Sequence, residues 1–251
     1  MPAIDLNADL GETVDGVATA DDAAMFAVVS SASVACGGHA GDAASMRAAV
    51  ALAERHGVAI GAHPSYPDRP GFGRVPLPMD AAQLRESVSA QLAALAAAGA
   101  DIRYVKPHGA LYHAAGSRAE VAAPVVSAVV ALAERLGRAV PVLGLGDQLA
   151  RAARQAGLPF VREAFLDRGY TRDGDLVPRG APGDLLHDPD EVAARAVRLA
   201  TGGEVVAVDG ALIETDAASL CLHGDTPESV AMARAVRAAL AAARVEVRAP
   251  W

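Results

Sequence analysis

The sequence predicts an α/β fold: one domain over residues 1–251, built as a barrel of about seven parallel strands, distorted or incompletely closed. Three observations point there. Short apolar runs alternate with longer amphipathic, alanine-rich ones, the pattern of repeated βα units. The length of 251 residues is long for an ordinary domain but normal for an α/β barrel. The polar residues collect at one end of the predicted strands, which is where such a barrel assembles a site.

The expected strands are Ala3–Ala8, Ala32–Cys36, Val58–Ala62, Ile102–Lys106, Val140–Leu143, Phe160–Arg162 and Ser219–Leu222. The expected helices are Ala20–Val29, Ala43–His56, Asp80–Ala98, Ala119–Leu136, Asp147–Ala156, Asp188–Leu199 and Glu228–Ala243. Gly57, Gly99, Gly137 and Gly157 each follow an alanine-rich stretch, as helix-terminating glycines do. Asp42 and Asp225 read as helix caps, and Thr226-Pro227-Glu228 as a cap, a first-turn proline and an acid at the positive helix end. After the sixth strand the alternation breaks. Asp173-Gly174 within Tyr170–Pro178 and Asp209-Gly210 within Glu204–Thr215 predict two hairpin insertions, and Gly169–Leu186 an excursion covering the site.

Composition excludes several classes of function. The formal net charge of −8, with no basic run, argues against nucleic-acid binding. No uninterrupted apolar stretch reaches membrane-spanning length, and Met1-Pro2-Ala3-Ile4-Asp5 meets an acid too early for a signal peptide. Two cysteines, Cys36 and Cys221, sit in short apolar runs and read as buried thiols of a cytoplasmic protein. There is no phosphate-binding G-x-x-x-x-G-K-[ST] loop, no G-x-S-x-G elbow and no C-x-x-C pair. Any use of ATP is therefore expected to depend on another chain. Alanine-rich outer helices are compatible with a homo-oligomer.

The candidate chemistry lies at the strand ends. The first strand delivers Asp5, Asn7 and Asp9 on one face by its period of two. The second runs into His39, the third into His63, the fourth into Lys106 and His108, the sixth into Glu163, Asp167 and Arg168, and the seventh into His223. Of the 22 basic residues all but Lys106 are arginine, and Asn7 is the chain's single asparagine. A position that keeps lysine among arginines is one that needs a compact point charge rather than a planar fork. A lone histidine at a strand end is usually a hydrogen-bonded structural group; three at equivalent ends make a role in chemistry the better reading. His56, His113 and His187 read as ordinary surface or capping residues.

Several segments together resemble one family. They are Asp5-Leu6-Asn7-Ala8-Asp9-Leu10-Gly11-Glu12, Ala35-Cys36-Gly37-Gly38-His39-Ala40-Gly41-Asp42, Gly61-Ala62-His63-Pro64-Ser65-Tyr66-Pro67-Asp68, Gly71-Phe72-Gly73-Arg74, Val105-Lys106-Pro107-His108-Gly109-Ala110-Leu111-Tyr112, Glu163-Ala164-Phe165 with Asp167-Arg168, and Cys221-Leu222-His223-Gly224-Asp225. They resemble the LamB/YcsF family, the A subunit of bacterial 5-oxoprolinase, over nearly the whole chain. Ser33, Val75 and His113 depart from that family's usual Asn, Arg and Asn. The resemblance implies a barrel similar to the glycoside hydrolase/deacetylase superfamily. It also implies ATP-coupled ring opening of 5-oxo-L-proline to L-glutamate together with partner subunits B and C. Some members of that superfamily hold a divalent metal, and the matching positions here are Asp9, His39 and His63.

An unactivated lactam needs its carbonyl polarised, oxygen added and its ring nitrogen protonated. Lys106 is expected to stabilise the carbonyl oxygen or its phosphate. One acid among Asp5, Asp9, Glu163 and Asp167 is expected to act as base, and His108 or His63 to deliver the proton. Asn7, His39, His63, Tyr112 and His223 are expected to bind substrate, with Arg74 or Arg168 pairing with its carboxylate. Two other classes of function remain open: a stand-alone metal-dependent deacetylase of a small amide or sugar, and a non-catalytic subunit that presents substrate.

Overall fold

The structure is a computed structural model, which describes residues 1–224, Thr226 and 228–251. In chain order its elements begin with β1 (Ala3–Leu10), a ribbon of β2 (Thr13–Val14) and β3 (Val17–Ala18), α1 (Asp22–Phe26), β4 (Ser31–Ala35), α2 (Ala43–His56) and β5 (Ala59–His63). Next come α3 (Ala81–Ala97), β6 (Ile102–Val105), α4 (Gly109–Ser117), α5 (Ala119–Leu136), β7 (Val142–Gly144), α6 (Asp147–Gln155) and β8 (Phe160–Phe165). The chain finishes with α7 (Pro189–Gly202), a hairpin of β9 (Glu204–Val206) and β10 (Leu212–Glu214), β11 (Ser219–Cys221), α8 (Ser229–Ala242) and β12 (Glu246–Val247).

Strands β1, β4, β5, β6, β7, β8 and β11 pair in parallel in that order, and β11 returns to β1 through Asp5↔Ser219 and Asn7↔Cys221. The seven-stranded barrel is thus closed. It is also irregular: the register slips between Ile60 and Gly61 on β5, and β6 meets β7 through Val105↔Val142. β12 adds to the start of β1 at Ala3 and Ile4. Both hairpin regions after Phe160 are present, one as β9–β10 and one as the bridge Tyr170↔Leu176.

Local chemistry explains the boundaries. Asp42 caps α2 in a reciprocal box with Ser45, and Gly57 ends it in the left-handed region with φ 67°. Asp21 caps α1, which is shorter than the helix expected over 20–29. The ribbon β2–β3 turns at Asp15-Gly16, both at positive φ, the same Asp-Gly signal that marks the later hairpins. α4 was not expected, because glycines at 109 and 116 bracket a short segment and weaken its helical pattern. The readings of Asp225 and Pro227 lie outside the described residues; Thr226 is not the N-cap expected of it, since α8 starts after Glu228, which makes no side-chain capping bond. Among the described residues no helix is long and apolar enough to cross a membrane.

The alternation of β1 divides its two faces. Leu6 and Leu10 pack in the apolar layer between strands and helices, while Asp5 and Asn7 make polar contacts with the neighbouring strands and Asp9 with Lys106, which follows β6. The barrel interior is therefore polar, and its groups must bond to one another. Asp5 accepts from Ser30 and Ser31 at 2.7 Å each and from Ser219 at 2.5 Å. Burial, opposed by these hydroxyls, raises its carboxyl above the ordinary carboxylate range. Tyr104 shares a hydrogen bond of 3.0 Å with Ser33 and stacks on Trp251 at 4.3 Å, whose indole donates to Ser31 at 2.8 Å. Gly61 makes room for that phenol: a methyl there would lie 2.2 Å from the Tyr104 ring.

Gly61→Ala is accordingly expected to destabilise the protein by about 1–3 kcal/mol through overpacking, visible as a lowered midpoint of thermal unfolding. Asp22 supplies a pH-dependent test. It accepts from the Gly11 amide at 2.9 Å, and burial pushes its carboxyl up from 3.8 to about 6. The folded state holds this proton more tightly than the unfolded one, so stability falls as pH rises from 3.8 to about 6. Asp22→Asn should therefore gain about 1 kcal/mol over wild type above pH 6, discounted for partial exposure, and little near pH 4. Urea midpoints that differ equally at both pH values would sink this account.

Candidate active site

A cavity of about 440 Å³ opens where the barrel strands end. Its wall includes Asp9, Glu12, His63, Arg74, Lys106 and His108. Tyr112, His113, Phe165, Arg168, Arg179 and His223 line it as well. Eight of the residues expected from sequence are thus brought together: Asp9, His63, Arg74, Lys106, His108, Tyr112, Arg168 and His223. Asn7, His39, Glu163 and Asp167 stand just behind the wall, bonded to residues that line it. Asp5 lies deeper, enclosed by its three serines.

Lys106 is the centre of the wall. It is 1% exposed, and its Nζ lies 2.9 Å from Asp9, 3.1 Å from Glu163, 3.2 Å from Asn7 Oδ1 and 3.1 Å from Cys221 Sγ. The Phe165 ring faces it at 5.3 Å. Burial pulls the ammonium down, but Asp9 and Glu163 more than offset that and hold it well above the ordinary lysine range. Burial likewise opposes ionisation of Asp9, yet His63 and Lys106 keep its carboxyl well below the usual value. Asn7 completes the knot by donating to Ser219 at 2.8 Å and Glu163 at 3.4 Å.

Three histidines stack against this knot. His63 Nδ1 faces the Lys106 carbonyl at 2.8 Å, and His108 Nε2 faces the Phe72 carbonyl at 3.0 Å. A carbonyl only accepts, so both nitrogens carry hydrogen. The inner nitrogens, His63 Nε2 and His108 Nδ1, then face each other at 3.0 Å, with Asp9 Oδ2 3.3 Å from the former. Two lone pairs cannot share that space without a proton or another cation between them. His39 lies flat on His108 at 3.7 Å and meets Glu12 at 2.8 Å, leaving its Nδ1 buried without a partner. Burial, then the neighbouring histidines, hold both His39 and His108 well below the ordinary histidine range.

His223, also on the cavity wall, meets Asp167 through Nδ1 at 2.8 Å and stacks on Phe165 at 5.4 Å. Burial works against its charge, but Asp167 raises His223 above its ordinary value. Among the described residues Tyr112 Oη and Glu163 Oε1 are buried without a hydrogen bond of ordinary geometry, and burial followed by the nearby Glu163 pushes the phenol well up.

Among the described residues, donor atoms of three groups lie within 4.8 Å of one another, close enough for a metal ion to be shared: Asp9, His63 and His108; Glu12, His39 and His108; and Asp9, Cys221 and His223. Asp9 and His63 share a group with His108, while His39 pairs instead with Glu12. In the first group both outer ring nitrogens donate to backbone carbonyls, the arrangement that orients histidines bound to a metal.

Sequence reasoning missed four contributors. Glu12 follows Asp9 by three residues, and only the positive-φ turn at Gly11 (φ 71°) shows that it comes back to the site. His113 lies four residues after Gly109 on α4, so its place would follow from predicting that helix. The Phe72 carbonyl and Arg179 carry no sequence signal; loop folding alone brings them in.

The Lys106 knot yields a stability test. Lys106→Met leaves Asp9 and Glu163 buried without their cation and should lower stability by about 3–5 kcal/mol, measured by urea unfolding; a loss under about 1 kcal/mol would show that the carboxylates do not depend on it.

The sequence model of the LamB/YcsF family matches residues 4–250. The chain is 50% identical to the 5-oxoprolinase A subunit of Streptomyces griseus subsp. griseus, covering 98% of this chain and 99% of that one. It is 47% identical to the protein of the same name from Cutibacterium acnes, with 99% of each covered. A crystal structure of the lactam utilization protein from Thermus thermophilus superposes with TM-score 0.91 at 43% identity, over 98% of this chain and 99% of that one.

Proposed function

The chain belongs to the LamB/YcsF family, and on that premise we propose that it is the A component of an ATP-dependent 5-oxoprolinase. It opens the ring of 5-oxo-L-proline to L-glutamate in the cytoplasm together with partner subunits B and C. The observation that carries this reading is full-length kinship, at 50% and 47% identity, to proteins named for that component. The two buried free cysteines suit a reducing compartment.

The geometry supports a division of labour. Of the four candidate acids, Asp9 lines the cavity, and Asp5, Glu163 and Asp167 lie behind its wall. Asp9 is held ionised by Lys106 and His63, so it is a weak base but a good partner for an imidazolium. The proton shared between the inner nitrogens of His63 and His108 is the one delivered to the ring nitrogen as the C–N bond breaks, and the proton of the attacking water takes its place. The Lys106 protons face four protein partners, so its part is to keep Asp9 charged and in place. ATP, handled with the partner subunits, would phosphorylate the lactam oxygen and so activate the carbonyl carbon toward water; C–N cleavage would then leave an acyl phosphate, which a second water would hydrolyse to glutamate and phosphate.

A second reading has one observation in its favour, the convergence of Asp9, His63 and His108 donor atoms. Those three residues would hold a divalent cation, which would supply Lewis-acid polarisation of the carbonyl. The chain would then be a stand-alone metal-dependent deacetylase or amidohydrolase.

Glutamate release and ATP hydrolysis, assayed for this chain alone and with its genomic neighbours, separate the readings. The proposed function requires partner and nucleotide; hydrolysis by this chain alone, lost on chelation and restored by a divalent ion, would replace it with the second reading. In the reconstituted complex, Lys106→Arg should cut turnover by about a hundredfold or more, because a planar fork cannot occupy the point-charge site. Unchanged turnover would remove the special role given to this lysine.

A further inference from the structure

The excursion between β8 and α7 brings two guanidinium groups to the cavity, and they are not equivalent. Arg168 is committed to the loop itself. Its Nε donates to the Asp184 carbonyl at 3.0 Å and its Nη2 to the Val177 carbonyl at 2.6 Å. The same loop is tied by Val177 N to the Gly169 carbonyl at 2.9 Å, by Ala181 N to the Pro178 carbonyl at 3.1 Å, and by Gly180 N to Asp184 Oδ2 at 2.7 Å. These bonds fix a turn on both sides of Arg179.

Arg179 lines the cavity beside Arg168, His113 and His223. Among the described residues, no hydrogen bond or ion pair engages its guanidinium. Its charge is nonetheless felt across that wall: burial, then Arg168 and Arg179, hold His113 below the ordinary histidine range, and Arg179 also acts on Arg168. Two like charges crowded on one wall of a cavity are relieved by an anion between them. The same cavity is lined by Asp9, Lys106, His63 and His108, where the amide would react.

We propose that Arg179 is the clamp for the substrate's carboxylate and so selects an anionic lactam over a neutral one. The assignment rests on the function proposed above and deepens it. The substrate is then held at both ends, carboxylate on the excursion and ring amide against the histidine pair. The fork of Arg179 remains open for bidentate pairing, whereas two of the three nitrogens of Arg168 are engaged with carbonyls.

The test compares wild type, Arg179→Gln and Arg179→Lys in the complex reconstituted with the partner subunits, using 5-oxoproline and its uncharged carboxamide. Arg172→Gln serves as control, because Arg172 lies on the same excursion but pairs with Asp209 at 2.8 Å outside the cavity. Arg179→Gln should raise KM for 5-oxoproline by about ten- to a hundredfold with little change in kcat, and erase the preference for acid over carboxamide. Arg179→Lys should recover part of the preference, and Arg172→Gln should behave as wild type. Wild-type KM and preference in Arg179→Gln, in a complex that turns over 5-oxoproline, would overturn the assignment alone. A wild-type complex that leaves 5-oxoproline intact would overturn the functional reading and the assignment with it.

Discussion

A single ammonium group organises this barrel. Lys106 Nζ is in contact with β1 through Asn7 and Asp9, with β8 through Glu163 and with β11 through Cys221. Removing two carboxylates and an amide from water is costly unless charge and hydrogen bonds are returned at short range. Lys106 returns both. The barrel closes where β11 meets β1, so the same contacts that satisfy the lysine help to hold the closing strands in register. An arginine would bring a larger, planar head to a space bounded by four partners, which gives a physical reason for one lysine in a chain otherwise supplied with arginine.

Below that knot the interior is built from small hydroxyls and one aromatic stack instead of the branched aliphatics that usually fill such a barrel. Serines 30, 31 and 219 surround Asp5, and Ser33 meets Tyr104. A polar interior has narrow tolerances, since each unsatisfied group costs more there than at the surface. Among the described residues four buried side-chain atoms lack a hydrogen-bond partner, and three of them, Tyr112 Oη, Glu163 Oε1 and His39 Nδ1, belong to the site or the layer directly behind it. Satisfaction is complete around Asp5, deep in the barrel, and fails where a ligand could complete it.

Much of this was legible from the sequence because strand periodicity and barrel topology are local rules. Asp5, Asn7 and Asp9 were placed on one face by alternation alone, and Lys106 with His108 by the same count. The βα alternation set the number of barrel strands, and the Asp-Gly pairs marked the later hairpins. Depth was not legible: the alternation that aligns Asp5 with Asp9 says nothing about which one reaches the cavity. The histidine pairing was also hidden, since His39 and His63 look equivalent in sequence while only His63 meets Asp9. Arg179 depends on a loop whose shape is set by bonds from Arg168 and Asp184, and no periodic pattern announces such bonds.

The Phe72 carbonyl does two things at once. It accepts from His108 Nε2, and it lies in a loop whose next residue, Gly73, accepts from the Ala110 amide at the start of α4. Loop position and the placement of hydrogen on His108 are therefore two readings of one equilibrium. Withdrawing the carbonyl frees Nε2 to give up its hydrogen and lets the imidazole change tautomer, which removes the constraint on the nitrogen facing His63. By thermodynamic reciprocity, anything that engages that inner nitrogen also tightens the loop over it. The reactive edge of the barrel is thus set by a few backbone atoms, and basicity at this site is in part a mechanical property.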